Sequence, residues 1–474
     1  MQKAMYVDRI SHSPALPLPH SPCIPQPSRK VFSPTMTRER FAWIVSTVLL
    51  AILAFQLPGT LAERDDDAAW VKTVVEVHRL VDENYVEAVD DSDMKVKSIQ
   101  GMLSDLDPFT VYVPPAKQAS FDSLIGGNYD GVGITLRGEA NGDVFVVSPV
   151  EGGPADQAGI DAGDQIIKVD GTPTKGLSID EVSRRILGPA DTKVTLTVLR
   201  FGQQLDFTMT RQQIVLPTVL GFERNPDDSW KFFVSENPKV AYLRITQFDG
   251  NTFDELHDFL AGQSGLLSQG MQGLILDLRF NGGGRFDIAV KILNMFIKDG
   301  VLVSTKGRNR PETIERADGN GTLPDFPMIV LVNDESASAS EIVSGSLQDN
   351  HRAEVVGQRT YGKGSVQELI PLQDDGGELK LTVAYYYLPS GRLVHRKPGA
   401  TDWGVDPQIV VNMEQNAEAV LEDDLDSRNI IRRPATRPTT TPATRPNDPQ
   451  FDTALRTIIG TIVLNKSTPA TTGP

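Results

Sequence analysis

The 474-residue sequence predicts a multidomain α+β protein. Three successive hydrophobic patterns support this fold class: helical spacing in the first folded part, short β-rich runs over residues 125–213, and alternating strands and helices over residues 214–431. A chain of this length is expected to bury more than one hydrophobic core.

Composition and charge exclude several classes of function. The chain has 46 Lys and Arg against 62 Asp and Glu, a formal net charge of -16. Nucleic-acid-binding proteins usually carry clustered positive charge, so no nucleic-acid partner is expected. Cys23 is the only cysteine, which rules out an intrachain disulfide and a cysteine-rich metal site. Because the sequence also lacks an HExxH motif and clustered ligands, we expect neither a metal nor an organic cofactor.

The first 62 residues are predicted to be a leader. Residues 1–35 are rich in Pro, Ser and His and are predicted to be disordered, and Met36 is an alternative start. Residues 36–62 combine two arginines, the uncharged apolar run Phe41–Leu57, a Pro-Gly break and a small residue, Ala62. This layout is typical of a signal peptide cleaved after Ala62, and a retained single-helix membrane anchor is the alternative. Either one predicts folded domains outside the cytoplasm, periplasmic or anchored to the membrane.

Residues 63–124 are predicted to form an N-terminal helical region. Apolar residues such as Val71 and Val74 recur over residues 70–106 with the spacing of an amphipathic helix. His78 lies on the same face. We interpret it as a packed or half-exposed side chain, because no second His or Cys stands at ligand spacing.

Residues 125–213 are short β-rich runs separated by Gly/Pro turns, with one helical piece, SIDEVSRRIL. Within them, GGPADQAGIDAGDQIIKVDG resembles the PDZ domain, a module that binds the C-termini of proteins. The resemblance places the carboxylate-binding loop on Gly131, Val132, Gly133 and Ile134. Their amides would hold a terminal carboxylate while the peptide adds as a strand to the sheet edge. Taken alone, GVGI also fits an ordinary glycine turn.

Residues 214–431 alternate strands with helices. The predicted strands are KVAYLRITQF, MQGLILDLRF and FPMIVLVND, and the predicted helices are TFDELHDFLAG, FDIAVKILNMFI and SEIVSGSLQ. This alternation predicts parallel crossover units with a ligand site at the carboxyl ends of the strands. Residues 432–474 are predicted to be a Pro/Thr-rich linker followed by a short amphipathic helix, QFDTALRTIIGTIVLNK.

Three serines separated by alanines, in NDESASASEI, directly follow the last of these strands. The order of strand, turn and helix places Ser338 near a helix N-terminus, where free amides and the helix dipole favour developing negative charge. Ser338 and Glu341 also have the S-x-x-E spacing of a capping box, and capping alone would explain this motif. A nucleophilic role requires a base as well.

A lysine is the candidate base. None of the six histidines has a sequence context that suggests catalysis. Lys363 stands between Gly362 and Gly364, which allow another segment to approach closely. A buried lysine can become neutral and accept a proton. Oxyanion donors are available too, because the strand LILDLRF ends in three glycines, where the amide of Gly283 is a candidate together with that of Ala339.

Several motifs together resemble one family. In chain order, LILDLRFNGGG, VNDESASASEI, GQRTYGKGSVQ, LPSGR and WGVDPQIVV follow the PDZ-like unit and DPFTVYVP. This set resembles the carboxyl-terminal processing (tail-specific) serine proteases over residues 71–411. The resemblance implies an α/β core of the crotonase/ClpP-like kind.

The resemblance also implies roles for individual residues. Ser338 would be the nucleophile and Lys363 the general base, while Gln367 would orient the lysine. The amides of Gly283 and Ala339 would form the oxyanion hole. Gln367 follows the lysine by four positions, so one helical turn would bring both side chains to one face, and other local geometries can do the same.

The implied activity is that of an endopeptidase that cleaves near the free C-terminal tails of protein or peptide substrates. The PDZ-like unit would bind the tail and gate the site. A homo-oligomer or a regulatory partner is compatible with this activity. Two alternatives stay open: a non-catalytic PDZ scaffold, and a crotonase-like acyl-transfer enzyme acting on a thioester. The chain departs from the family pattern DPHS/T at Phe109, a position that we expect not to touch the catalytic pair.

Overall fold

The computed structural model of the protein describes residues 45–47, 69–373, 376–431 and 445–467, with backbone alone at 119–120 and 122–125. The predicted leader, almost all of the predicted signal or anchor, and the predicted linker up to residue 444 lie outside the described residues. Within the described part, no helix is both long and apolar enough to cross a membrane. The chain divides into two compact units, Met1–Asp91 and Ser92–Pro474.

Residues 70–106, predicted as one helical segment, contain two helices. Helix α1 spans residues 69–84 and α2 spans Asp91–Leu103, with six non-helical residues between them. In the first unit the apolar face of α1 is exposed, as at Val71 and Val74. His78 is half exposed, and its Nε2 lies 3.0 Å from Asp91 Oδ1.

The rest of this region reaches the edge of a sheet. The Asp107 carboxylate accepts hydrogen bonds from the N–H groups of Phe109 and Thr110 at 2.8 and 2.9 Å, which closes a tight turn. Strand β1 (Val111–Val113) and helix α3 (Pro115–Gly126) follow.

The β-rich module follows α3. Its strands are β2 (Asn128–Gly131), β3 (Ile134–Gly138), β4 (Val144–Pro149), β5 (Gln165–Val169), β6 (Thr172–Pro173), β7 (Lys193–Arg200), β8 (Gln203–Thr210) and β9 (Gln212–Val215), and its helices are α4 (Pro154–Ala158) and α5 (Ile179–Ile186). The main sheet has the order β3-β4-β5-β7-β8, with β6 paired to β5, and β2 pairs with β9. Helix α5 forms where SIDEVSRRIL predicts a helix. It is capped by Ser178 and Glu181, and it buries Val182 and Ile186 in the core of the module.

The next part of the chain contains the central sheet and strands of other sheets. Its elements are β10 (Val219–Leu220), β11 (Glu223–Arg224), β12 (Trp230–Lys231), β13 (Phe233–Glu236), β14 (Lys239–Ile245), α6 (Thr252–Ala261), β15 (Gly273–Asp277) and α7 (Phe286–Phe296). Further on come β16 (Val301–Gly307), β17 (Arg310–Arg316), β18 (Met328–Val332), α8 (Ala339–Asp349), β19 (Glu354–Gly357), β20 (Ser365–Pro371), β21 (Glu378–Tyr387) and β22 (Ile409–Val410). The central sheet has the order β10-β14-β15-β18-β19-β22, with β13 paired to β14. Strands β14, β15, β18, β19 and β22 pair in parallel, as the alternating pattern predicts.

A second sheet was not predicted. Strands β1, β21, β16 and β17 pair in that order, all antiparallel, and β20 also pairs antiparallel with β21, from Glu378 to Tyr385. Strand β1 precedes the β-rich module in the chain, yet it pairs directly with β21, a strand that follows Lys363.

Two helices complete the described chain, α9 (Gln415–Ser427) and α10 (Pro449–Ser467). Helix α10 packs against the central sheet, where a Cβ at Gly273 would lie 2.9 Å from Ile458. The buried Arg279 guanidinium binds Asp277 and, at the start of α10, Asp448, with an Nη1–Oδ1 distance of 2.8 Å. This helix is therefore an integral part of the core, which the sequence did not indicate.

Candidate active site

Ser338 lies between strand β18 and helix α8, at the N-cap of the helix. Its backbone has φ 56° and ψ -114°, a conformation that residues other than glycine rarely adopt. Strained turns of this kind project a nucleophile from the end of a strand. The next residue, Ala339, begins the helix, so its N–H is one of the amides that have no partner within the helix.

The glycine loop after β15 lies directly against this turn. A Cβ at Gly283 would be 2.7 Å from the Cβ of Ser338 and 2.9 Å from the nitrogen of Ala339, and φ at Gly283 is 100°. Only glycine fits there. The Gly283 N–H donates to Asn281 Oδ1 at 2.8 Å, so in this conformation it is not directed at an oxyanion. The loop therefore lies against Ser338 and Ala339, and the predicted role of the Gly283 amide requires that amide to turn away from Asn281.

A buried carboxylate joins the serine turn to the lysine loop. Oε2 of Glu341 accepts the N–H of Ser338 and the N–H of Lys363, each at 2.8 Å. Oε1 accepts from Thr360 Oγ1 at 2.6 Å and from the Gly362 N–H at 2.7 Å. Burial raises the pKa of Glu341, and these four hydrogen bonds oppose it. Glu341 thus caps the helix, as predicted, and also holds two distant segments together.

A tyrosine contacts the same two segments from β21. The Tyr386 hydroxyl lies 3.1 Å from the carbonyl oxygen of Ser338 and 2.8 Å from that of Lys363. Burial raises its pKa well above the usual value, and the neighbouring Glu341 adds to the effect. The N–H and C=O groups of both residues are therefore held by buried side chains.

The electrostatics around Lys363 favour a neutral amine. Burial lowers the pKa of Lys363, and the positive charge of Lys380 lowers it further, while Glu341 and Asp107 oppose the shift. The flanking glycines are required by close packing, since a Cβ at Gly364 would lie 2.3 Å from the backbone nitrogen of His395. Lys363 is therefore easier to deprotonate than an ordinary exposed lysine.

Gln367 lies on strand β20, so the helical turn considered for it is wrong. The strand forms because residues 365–371 pair along their whole length with β21. The Nε2 of Gln367 donates to Ser365 Oγ at 2.9 Å and to Thr382 Oγ1 at 3.1 Å. These bonds fix its side chain on the sheet beside the lysine loop.

The expectation for Phe109 is also wrong. Its ring centroid lies 4.5 Å from the Nζ of Lys363, so this position touches the proposed base. The same turn carries Asp107, whose Oδ1 accepts from Thr382 Oγ1 at 3.2 Å. Sequence reasoning missed Asp107, Thr382 and Tyr386, because their partners are far away along the chain.

The loop predicted to bind a carboxylate connects β2 to β3. Val132 is buried, Gly133 has φ 73°, and Ile134 begins β3. Together with Ile186 and Leu187 at the end of α5, this loop lines a cavity of about 860 Å³ that extends to the neighbouring core. Among the described residues, no group of His, Cys, Asp or Glu is arranged to hold a metal ion.

Family models match three parts of this chain. Peptidase family S41 matches residues 239–411, the PDZ domain matches residues 145–200, and the activating protease CtpB N-terminal domain matches residues 55–115. These matches follow the predicted order of a helical region, a PDZ module and a protease core.

Curated relatives agree with the family models. A carboxy-terminal-processing protease of Bartonella bacilliformis is 38% identical over 331 residues, which cover 69% of this chain and 71% of the relative. A carboxyl-terminal-processing protease of Synechocystis sp. is 38% identical over 305 residues, 63% of this chain and 68% of the relative. Among solved structures, the photosystem II D1 C-terminal processing protease is 31% identical and aligns with 75% of this chain and 95% of its own, with a TM-score of 0.41.

The chain therefore belongs to the carboxy-terminal-processing proteases of peptidase family S41. It is a serine peptidase that carries a PDZ domain, and the predicted multidomain α+β fold class is confirmed.

Proposed function

We propose that this peptidase works through a Ser-Lys dyad and cleaves near the C-terminal tails of protein substrates. Ser338 Oγ attacks a peptide carbonyl carbon while the neutral Lys363 amine takes the hydroxyl proton. The proton then passes to the leaving amine, and water hydrolyses the acyl-enzyme with the lysine again as base. Gln367 orients the lysine. The amides of Ala339 and, after it turns, Gly283 stabilise the oxyanion.

One observation carries this assignment more than any other. The same oxygen of Glu341 accepts the N–H of Ser338 and the N–H of Lys363. A fold in which one buried carboxylate binds the backbone of a strained serine and the backbone of a lysine of lowered pKa is well suited to nucleophilic catalysis.

The PDZ domain is proposed to bind the substrate tail. Amides of the loop Gly131, Val132, Gly133 and Ile134 would bind the terminal carboxylate, and Leu187 would contact an apolar last side chain; support comes from the cavity that Val132, Gly133, Ile134 and Leu187 line together. Because the cavity is shared with the neighbouring core, occupation of the PDZ domain is proposed to gate the catalytic site.

Export is proposed on the sequence alone. The basic, apolar and small-residue pattern of residues 36–62 supports a signal peptide or an anchor, with the peptidase acting in the cell envelope. A homo-oligomer or a regulatory partner is part of the same proposal.

The test uses the full-length chain and an unstructured protein substrate that ends in a free apolar C-terminus. Wild type is expected to cut, while Ser338→Ala and Lys363→Ala remain folded and do not cut. Lys306→Ala removes an exposed lysine paired with Glu312 and serves as the matched control. Fragments are followed by mass spectrometry and folding by circular dichroism. Cleavage by Lys363→Ala would show that the base is wrong, and tail binding without cleavage by wild type would favour the scaffold.

A further inference from the structure

The turn before β1 reaches the proposed active site from the N-terminal region. Strand β1 pairs with β21, with Val111 opposite Lys380. The N–H of Thr382 in β21 also donates to Thr110 Oγ1 at 3.1 Å. The Asp107–Thr110 turn is therefore held against β21 by the strand that follows it, β1, and by the side chain of Thr110.

We propose that the turn Asp107–Thr110 is a positioning element of the peptidase site. Asp107 sets the orientation of Gln367 through the hydroxyl of Thr382. Phe109 covers the amine of Lys363 on one side. This inference rests on the proposed Ser-Lys mechanism and assigns that mechanism a part supplied by the N-terminal region.

The orientation of Gln367 follows from which groups can donate. An ionised carboxylate only accepts, so the Thr382 hydroxyl gives its single proton to Asp107 Oδ1, 3.2 Å away. A lone pair of that hydroxyl then accepts one N–H of the Gln367 amide, and Ser365 Oγ accepts the other. With both amide hydrogens engaged, the carbonyl oxygen is the end of Gln367 that accepts from a lysine amine. Asp107 thereby selects the amide orientation that leaves the lysine lone pair for the serine proton.

The carboxylate of Asp107 is held firmly ionised. The hydroxyl of Thr110 donates to its second oxygen at 2.8 Å, and two backbone N–H groups of the turn donate to the first. These hydrogen bonds, together with the one from Thr382, lower the pKa of Asp107 although partial burial raises it. The carboxylate is therefore an acceptor throughout the neutral pH range.

Phe109 and Asp107 act on the lysine in opposite directions. The ring of Phe109, 4.5 Å from Nζ, keeps water away on one side, and burial is the largest cause of the lowered pKa of Lys363. The charged groups that face Lys363 are Lys380 from β21, Glu341 from α8 and Asp107 from the turn. Lys380 favours the neutral amine, and the two carboxylates favour the ammonium.

The first experiment tests the hydroxyl with full-length variants and the tail substrate described above. Thr382→Val keeps the side-chain shape but removes both hydrogen bonds. We expect kcat to fall roughly tenfold to hundredfold with KM nearly unchanged, because the base is misplaced. Thr382→Ser is expected to restore most of kcat. The matched control is Thr195→Val, which removes one partner of an exposed hydroxyl pair with Thr208 in the PDZ domain.

The second experiment measures the pKa of Lys363 without relying on cleavage. In a Ser338→Ala background, competitive acetylation of the lysine is followed by mass spectrometry as a function of pH. Asp107→Asn removes an attracting negative charge and is expected to lower the pKa. Phe109→Ala admits water, which raises the pKa, and removes the ring face that stabilises the ammonium, which lowers it; because burial is the largest cause of the shift, we expect the pKa to rise. Asp227→Asn alters an exposed carboxylate that accepts hydrogen bonds in a similar turn, and it is expected to leave the pKa unchanged.

The outcomes separate the two proposals. Suppose that wild type cuts and Lys363→Ala does not, so that the dyad proposal stands. Full activity of Thr382→Val, together with an unchanged pKa of Lys363 in Asp107→Asn, would then overturn the proposed role of the turn. If Lys363→Ala still cuts, the dyad is wrong and the turn has no base to position. A third outcome would also overturn the role of the turn. If the variants are less stable, but kcat does not fall in Thr382→Val and the pKa of Lys363 does not shift, Asp107 and Thr382 make a purely structural contact.

Discussion

Replacing Glu341 by glutamine is expected to weaken the fold by an amount that the structure bounds. Each carboxylate oxygen accepts two hydrogen bonds, one pair from Ser338 and Lys363 and the other from Thr360 and Gly362. A glutamine keeps one acceptor oxygen and introduces an NH2 group. We expect the NH2 to turn toward Thr360, because that hydroxyl is the closest contact of the carboxylate and can rotate to accept, whereas the Oε2 position faces two backbone N–H groups and a Tyr386 hydroxyl at 3.4 Å. The N–H of Gly362 then loses its partner, and an unpaired buried donor costs roughly 1–3 kcal/mol.

Glutamine also removes the need to bury a charge, and this gain offsets part of that cost. Burial raises the pKa of Glu341, so the folded state disfavours its ionised form, and an uncharged amide avoids this penalty. Chemical denaturation should therefore show a fall in the free energy of unfolding near the lower end of the range, about 1 kcal/mol. Activity provides a second readout. Glu341 raises the pKa of Lys363, so Glu341→Gln should move the rising limb of the cleavage rate to lower pH.

A second capping box supplies the control. Glu181 accepts the N–H of Ser178 at 2.8 Å at the start of α5, but its side chain is exposed. Water replaces the lost hydrogen bonds in Glu181→Gln, so we expect a much smaller fall in stability and no movement of the pH profile. Equal unfolding midpoints for the two variants, with an unmoved pH profile in Glu341→Gln, would refute the reasoning.

Three further predictions concern the dyad and the tail site. Ser338→Gly should be about 1 kcal/mol more stable than Ser338→Ala, because only glycine adopts φ 56° without strain; equal denaturation midpoints would contradict this. The pKa of Lys363 is lower in the folded than in the unfolded state. Wild type is therefore most stable above the unfolded pKa of this lysine, and it loses stability as pH falls through the folded pKa, because the folded state disfavours the ammonium. Lys363→Met should therefore abolish cleavage without lowering the free energy of unfolding at neutral pH, and its advantage over wild type should shrink in alkaline denaturation series. Leu187→Ser should raise KM for an apolar tail about tenfold with kcat unchanged, whereas Phe201→Ser, at an exposed hairpin of the same domain, should not.

The central sheet could be predicted because its strands are buried on both faces. Strand β18 consists of five buried residues, and β15 likewise, so each appears in the sequence as a continuous apolar run between turns. The antiparallel sheet gave no such signal. Strand β21 is partly exposed along almost its whole length. Its first six residues, ELKLTV, alternate polar and apolar as in a half-buried strand, but the pattern stops at AYYY and does not indicate which strands pair with it. Its register depends on β1, which lies about 270 residues earlier in the chain.

In the candidate site, too, sequence patterns indicated local contacts but not contacts between residues far apart in the chain. Motifs that are contiguous in sequence suggested Ser338, Lys363 and Gln367, and the spacing of a capping box drew attention to Glu341. That spacing described only the bond to Ser338, whereas the bond to Lys363 crosses 22 positions and depends on how α8 meets the following loop.

Phe109 lies far from Lys363 in the chain but contacts it in the fold. From sequence it was a departure from a family pattern in a helical region, with no apparent link to the chemistry. In the fold, β1 brings that region against β21, and the ring comes within 4.5 Å of the amine of Lys363. A substitution at Phe109 is therefore expected to change the pKa of the proposed base, which lies some 250 residues away in the chain. Domain boundaries drawn from sequence patterns separate these residues, and strand pairing across the boundary makes them one site.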